Sequence, residues 1–135
     1  MPRMIFVNLP VRDLNRSVDF FTALGFSFDE RFTDESATCM VISDTIHAML
    51  LVEAKFTELS TRAVLDTAAG SEVLIALSCD SRDEVDDLCD RALAAGGNES
   101  HPAQDHGFMY QRSFQDPDGH VWEIFHMDMS AVPAG

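Results

Sequence analysis

A chain of 135 residues, 46% hydrophobic and 24% charged, is long enough for one compact domain or for two small halves sharing a core. Nine basic residues against 23 acidic ones leave a net charge of −14, which repels phosphate backbones and anionic membranes and argues against nucleic acid and membrane partners. No apolar run is long enough to span a bilayer, and the opening Met1-Pro2-Arg3-Met4-Ile5-Phe6-Val7 is too short for a signal peptide, so the expected location is cytoplasmic.

Residues 3–11 alternate in part and read as a strand ending at Pro10-Val11. Asp13 then caps a helix whose apolar positions Leu14, Val18, Phe21 and Leu24 follow helical spacing, and Gly25 stops it. Three short strands follow, near 26–33, 36–43 and 46–54, with Ser43-Asp44 as the turn between the last two. Residues 55–70 are polar and weakly periodic, a linker with room for one helical turn.

The pattern then begins again. Val73 to Cys79 reads as a strand, and Ser81-Arg82-Asp83-Glu84 as a capping box in which Glu84 reaches back to the cap. Val85, Leu88, Ala92 and Ala95 line one face of the next helix, and Gly96-Gly97 end it. Strands near 98–103, 107–115 and 121–127 complete the run, and the tail from Ser130 is expected to fray. Cys39, Cys79 and Cys89 have no metal-site spacing and read as reduced, mostly buried thiols.

Both halves thus share one order: strand, capped helix, glycine stop, three strands. Such an internal repeat means two copies of one supersecondary unit. The expected fold is α+β, two βαβββ modules forming a cupped, open, barrel-like mixed sheet with outer helices. Module one covers about 1–55, the linker about 56–70 and module two about 71–129.

The closing hairpin carries the best functional signal. Asp116-Pro117-Asp118-Gly119 has turn chemistry in the right order. Val121, Glu123 and Phe125 then share one strand face, and a charge on an apolar face is costly unless paired or ligated. Glu123 has three readings: metal ligand, metal-free general acid or base, or a structural carboxylate paired with Arg112 or His120. His120, after the turn glycine, reads as support for the turn. Trp122 faces away from Glu123 and should pack under a helix.

The stretches Val7-Asn8-Leu9-Pro10-Val11-Arg12-Asp13-Leu14, Leu24-Gly25-Phe26 and Asp116-Pro117-Asp118-Gly119-His120-Val121-Trp122-Glu123-Ile124 resemble the vicinal oxygen chelate superfamily. That superfamily includes glyoxalase I, bleomycin-resistance proteins, fosfomycin-resistance enzymes and extradiol dioxygenases, and the resemblance is closest to the predicted lactoylglutathione lyase group. It implies paired βαβββ modules, a homodimer and, in the enzymes, a divalent metal held by His, Glu or Gln. Carried over residue by residue, the ligand carboxylate of the last strand falls on Glu123. The other positions fall on Phe6, on Leu74 (or Val73), and on Met49 or Leu50, none of which can hold a hard ion.

Other polar residues could join a rearranged site. Asn8 shares a strand face with Phe6, His47 shares one with Met49 and Leu51, and His106 and Tyr110 lie near the last hairpin. Phe6, Asn8, His47, Met49, Leu74, His106, Tyr110 and Phe125 are therefore the expected ligand-binding set, with Glu123 as the catalytic or metal candidate. A cup rich in Phe and Met suits a small, largely apolar molecule. The acidic balance disfavours anionic substrates such as glutathione adducts. Two functions remain open: a metal-poor small-molecule binder, and a lyase or isomerase-type enzyme using Glu123 as base, with or without a divalent metal.

Overall fold

The computed structural model describes residues 2–131, and the chain divides into two compact units, Met1–Asp66 and Thr67–Gly135. Each unit is built on one four-stranded mixed sheet, and the element order bears out the α+β class and the two βαβββ modules.

The first unit runs β1 (Ile5–Val11), α1 (Leu14–Ala23), β2 (Ser27–Asp29), β3 (Ala37–Val41), β4 (Ile46–Val52) and α2 (Glu53–Ser60). The strand order is β1-β4-β3-β2, with β1 parallel to β4 and the other pairs antiparallel. Asp13 caps α1 as expected, its carboxylate accepting the Arg16 N–H at 3.1 Å. Gly25 ends the helix at φ 100°, a conformation that costs a residue without Cβ nothing. Phe20, Phe21 and Leu24 of α1 and its end are buried, as are Leu9, Val11, Met40, Ala48 and Leu50 of the strands. Each of these side chains other than that of Ala48 stabilises the fold by about 1.5–3 kcal/mol.

Two local expectations change here. The strand expected over 26–33 stops at Asp29, because the Asp29 side chain caps a 3-10 turn over Glu30–Phe32 by accepting the Arg31 N–H. The expected linker begins with the two-turn helix α2, not one turn. Glu53, Ala54, Lys55 and Glu58 favour helix, and Phe56 and Leu59 share its inner side.

The second unit runs β5 (Leu74–Ser78), α3 (Arg82–Ala94), β6 (Gln104–Asp105), β7 (Met109–Gln115) and β8 (Val121–Met127), in sheet order β5-β8-β7-β6. Ser81 caps α3 by accepting the Glu84 N–H at 3.1 Å. The Glu84 carboxylate reaches back to the Asp80 N–H at 2.7 Å, one residue before the cap. Val85, Cys89 and Ala92 are the buried positions of α3; Leu88, expected in that row, is half-buried and Cys89 takes its place. The strand expected over 98–103 is reduced to a single bridge, Asn98 with Gln115, and pairing resumes only after Pro102, which has no N–H to give.

The closing turn is held from inside. Asp116 is buried, and its Oδ1 accepts the N–H groups of Asp118 and His120 while its Oδ2 accepts Trp122 Nε1–H at 3.1 Å. Gly119 has φ 81°, and the Thr67 hydroxyl donates to the Asp118 carbonyl at 2.6 Å beside it. Met129–Ala131 form a short 3-10 turn; residues 132–135 of the expected tail lie outside the described residues. The cysteines are free, Cys39 and Cys89 buried and Cys79 half-buried.

Candidate functional site

Register decides which side chains meet. In the second unit Glu123 pairs with Ala76 of β5 and Ser113 of β7, while Phe125 pairs with Ser78 and Gln111. Cross-strand partners share a face, so Leu74, Ala76, Gln111, Ser113, Val121, Glu123 and Phe125 form one surface. Trp122, Ile124, Tyr110, Arg112 and Phe114 form the other, which packs on α3. Trp122 is fully buried there, its ring stacked 6.3 Å from that of Phe114.

Glu123 is 8% exposed and answers its burial with two partners. His101 Nε2 lies 2.8 Å from Oε2 and 3.1 Å from Oε1, and Gln111 Nε2 donates to Oε2 at 2.6 Å. The structural pairing expected for Glu123, with Arg112 or His120, is corrected by this. Arg112 projects from the other face of β7 to Asp86 and Asp90 of α3. His120 is buried and its Nδ1 meets Glu72.

His101 is itself fixed. Its N–H donates to the Ser113 hydroxyl at 3.1 Å, and its Nδ1 lies 2.9 Å from the Pro102 carbonyl. Both ring nitrogens therefore face acceptors. The Pro102 carbonyl first, and the Glu123 carboxylate second, raise the pKa of the imidazole above its ordinary value, against the opposing effect of burial. The result is a hydrogen-bonded imidazole–carboxylate pair, with Gln111 as a neutral donor, on an otherwise apolar and small-residue face.

The other expected ligand-binding residues are distributed as follows. Leu74, 61% exposed, and Phe125, half-buried, lie on the Glu123 face. Tyr110 lies on the opposite face, where its hydroxyl donates to Asp86 at 2.6 Å and the Arg82 guanidinium sits 5.1 Å above its ring. Asp86 raises the Tyr110 pKa, so the phenol is tied up rather than poised for proton transfer. His106 sits in the exposed loop between β6 and β7.

In the first unit Phe6, Asn8, His47 and Met49 do share a face, since Phe6 pairs with His47 and Asn8 with Met49. The rings of Phe6 and His47 stack at 4.5 Å. His47 is 8% exposed and its Nδ1 has no hydrogen-bond partner, the type of buried orphan that native proteins rarely keep without a use.

The residues do not fit a divalent metal. Among the described residues no three His, Cys, Asp or Glu side chains come together. Glu123 is the single retained ligand position, and the positions carried over to Phe6, Leu74 and Met49 or Leu50 hold no donor for a hard ion. Leu74 and Ala76 offer nothing from β5.

Sequence reasoning missed His101 and Gln111. Gln111 was accessible in principle, two residues from Ser113 on the strand that pairs with β8. His101 was not, because it reaches Glu123 from an irregular segment 22 positions away.

Comparison with known proteins matches residues 3–124 to the Glyoxalase/Bleomycin resistance protein/Dioxygenase superfamily. No curated protein matches the sequence. Among solved structures, a hypothetical protein from S. aureus is similar at 26% identity and TM-score 0.79, covering 93% of this chain and 94% of that one. A glyoxalase/bleomycin resistance protein/dioxygenase family enzyme from Burkholderia phytofirmans is similar at 20% identity and TM-score 0.78, covering 93% and 99%. A bleomycin resistance determinant encoded on transposon Tn5 is similar at 19% identity and TM-score 0.67, covering 95% and 100%. At these last two identities the likeness shows the fold alone.

Proposed function

The chain belongs to the Glyoxalase/Bleomycin resistance protein/Dioxygenase superfamily, and from that premise we propose that it is a metal-independent binder of a small, largely apolar, uncharged molecule. The observation that carries this reading is the closure of the Glu123 carboxylate by His101 and Gln111. Where a metal enzyme of this fold would present an open ligand, this chain presents a carboxylate already engaged by His101 and Gln111. A carboxylate whose oxygens are already taken by two side chains favours a neutral ligand, because a charged one would lose its hydration with no free opposite charge to meet it.

Leu74 and Phe125 would supply apolar contact on the same face, and Gln111 and Ser113 the polar contacts that orient the ligand. The cupped arrangement of the two modules, a homodimer and a cytoplasmic location belong to the same reading. So does the bleomycin-resistance-like role of sequestering or sensing a compound.

The same contact favours a second reading. The Glu123 carboxylate, oriented by His101 and Gln111, can take a proton from carbon beside a carbonyl and return it to the product, with His101 holding the carboxylate in place. This is a lyase or isomerase-type role for Glu123.

Elemental analysis of protein purified without chelators tests the first reading together with a thermal-shift screen of neutral apolar compounds. The expected outcome is no stoichiometric metal and stabilisation by a subset of compounds, lost in Gln111→Ala. One equivalent of Ni, Zn, Mn or Fe per chain would overturn it. The second reading requires that Glu123→Gln abolish turnover of a carbonyl substrate while binding persists.

A further inference from the structure

Glu123 and Ser113 sit on rigid strands, but the side chain that meets them both comes from outside the sheet. After α3 the chain is pinned at two points. Asn98 exchanges two backbone hydrogen bonds with Gln115, at 3.2 and 2.6 Å. Asp105 pairs with Tyr110 of β7 and takes the Arg82 guanidinium on both oxygens, at 2.8 and 2.9 Å. Between these pins Glu99, Ser100, His101, Pro102 and Ala103 make no backbone–backbone hydrogen bond among the described residues. Pro102 has no N–H to offer a ladder.

This strap touches the sheet through one residue. From Asn98 to Asp105 every residue is exposed except His101, which is half-buried. The His101 N–H donates to the Ser113 hydroxyl, and its Nε2 reaches both Glu123 oxygens. Its Nδ1 turns back to the Pro102 carbonyl, a contact that lies inside the strap and travels with it. The attachment therefore consists of two contacts from one residue, both to the face that also carries Gln111 and Phe125. A segment with fixed ends, no ladder and one half-buried side chain opens locally at low cost, while the strands beneath it stay folded.

We propose that residues 99–103 are a gate over the Glu123 face, latched by His101. The strap lifts between its pins at Asn98 and Asp105, admits a small uncharged molecule, and closes again by remaking the His101 contacts to Glu123 and Ser113. This inference rests on the reading of that face as the binding face, and adds to it how the ligand enters. Lifting the strap uncovers the Ser113 hydroxyl and the Gln111 amide, the polar groups that would orient the molecule. Closing it returns His101 to Glu123, so the carboxylate is engaged in the loaded site as it is in the free protein.

The gate is tested on the full-length 15N-labelled chain with readouts that need no natural ligand, so they fail separately from the binding reading. Amide hydrogen exchange at His101 should be slower than at Glu99 and Ser100. It should still be roughly tenfold or more faster than at the protected amides of β7 and β8, and flat with urea in the folded range, as local opening requires. The uncharged nitroxide 4-hydroxy-TEMPO serves as the entering probe. His101→Ala should raise its relaxation enhancement of the Gln111 side-chain amide about threefold. Ser113→Ala should raise it less, since the Glu123 contact remains. The indole N–H of Trp122, buried on the opposite face, should not change. His101 exchange that rises with urea together with β7 and β8 would overturn the gate, by showing that the strap opens only when the unit unfolds. An unprotected His101 amide would also overturn it, since no latch would be present. So would an unchanged enhancement at Gln111 in His101→Ala, or an equal rise at Trp122, which would show that His101 holds the fold and not a gate.

Discussion

Glu123 is held on an apolar face because His101 and Gln111 reach its carboxylate, and this contact sets the pH response of His101. The His101 pKa is raised in the folded state, so its contribution to stability is fully present below the unfolded value near 6.5. It is lost as pH rises through the higher folded value. The imidazole of His101 should therefore titrate above 6.5 by NMR, and His101→Gln should remove a loss of stability seen in the parent between neutral and mildly alkaline pH. Glu123→Gln removes the hydrogen bond to the carboxylate and its charge. The Pro102 carbonyl remains, so the midpoint should fall part of the way and not return to 6.5. A midpoint unmoved by Glu123→Gln would mean that the contact is absent in solution. His47 gives the opposite case, a buried imidazole whose Nδ1 is unpaired. His47→Phe keeps the stack on Phe6 and removes the orphan nitrogen, so urea unfolding should show a gain of about 1 kcal/mol.

Elements in this chain differ in how much of them is written locally. The caps Asp13 and Ser81 and the stop at Gly25 act within four residues, so both long helices were legible from spacing alone. The α2 helix was not, because it has no side-chain cap and only two apolar residues on its inner side. Its C-terminal residue offers a direct check. Thr61→Gly places at φ 61° the residue that tolerates it, and should stabilise the protein by about 0.5–1 kcal/mol in chemical denaturation. The hairpin β7–β8 gives the converse. A Cβ at Gly119 would come within 2.4 Å of the Thr67 hydroxyl oxygen, at φ 81°. Gly119→Ala should cost about 1–3 kcal/mol, from backbone strain and displacement of the Thr67 bond to Asp118. Thr67→Ala should cost less, since it loses the bond without the strain. The site's chemistry stood at a different remove. Glu123 was legible as a charge in an apolar strand, but its partners depend on register and on a loop crossing, which no local pattern encodes.

At the scale of the whole chain, charge is the one property read from composition that still makes a mechanical prediction. A net charge of −14 on 135 residues means that compaction brings like charges together. Part of this repulsion is met locally. Arg112 sits between Asp86 and Asp90, and Arg82 holds Asp105, whose carboxyl is driven far below the ordinary range by that guanidinium. Arg31 pairs likewise with Asp29 and Arg91 with Asp87, but nine basic side chains cannot match 23 acidic ones one to one. The local pairs are short and direct, whereas the uncompensated charges act over longer distances. Added salt, with a screening length of about 10 Å at 0.1 M, should therefore weaken repulsion more than attraction. The thermal midpoint at pH 7 should rise as NaCl goes from low concentration to about 0.5 M, and the rise should be smaller near pH 5, where part of the carboxylate charge is already lost. A midpoint that falls with salt would show that the arginine pairs, and not the net charge, dominate the electrostatics of this fold.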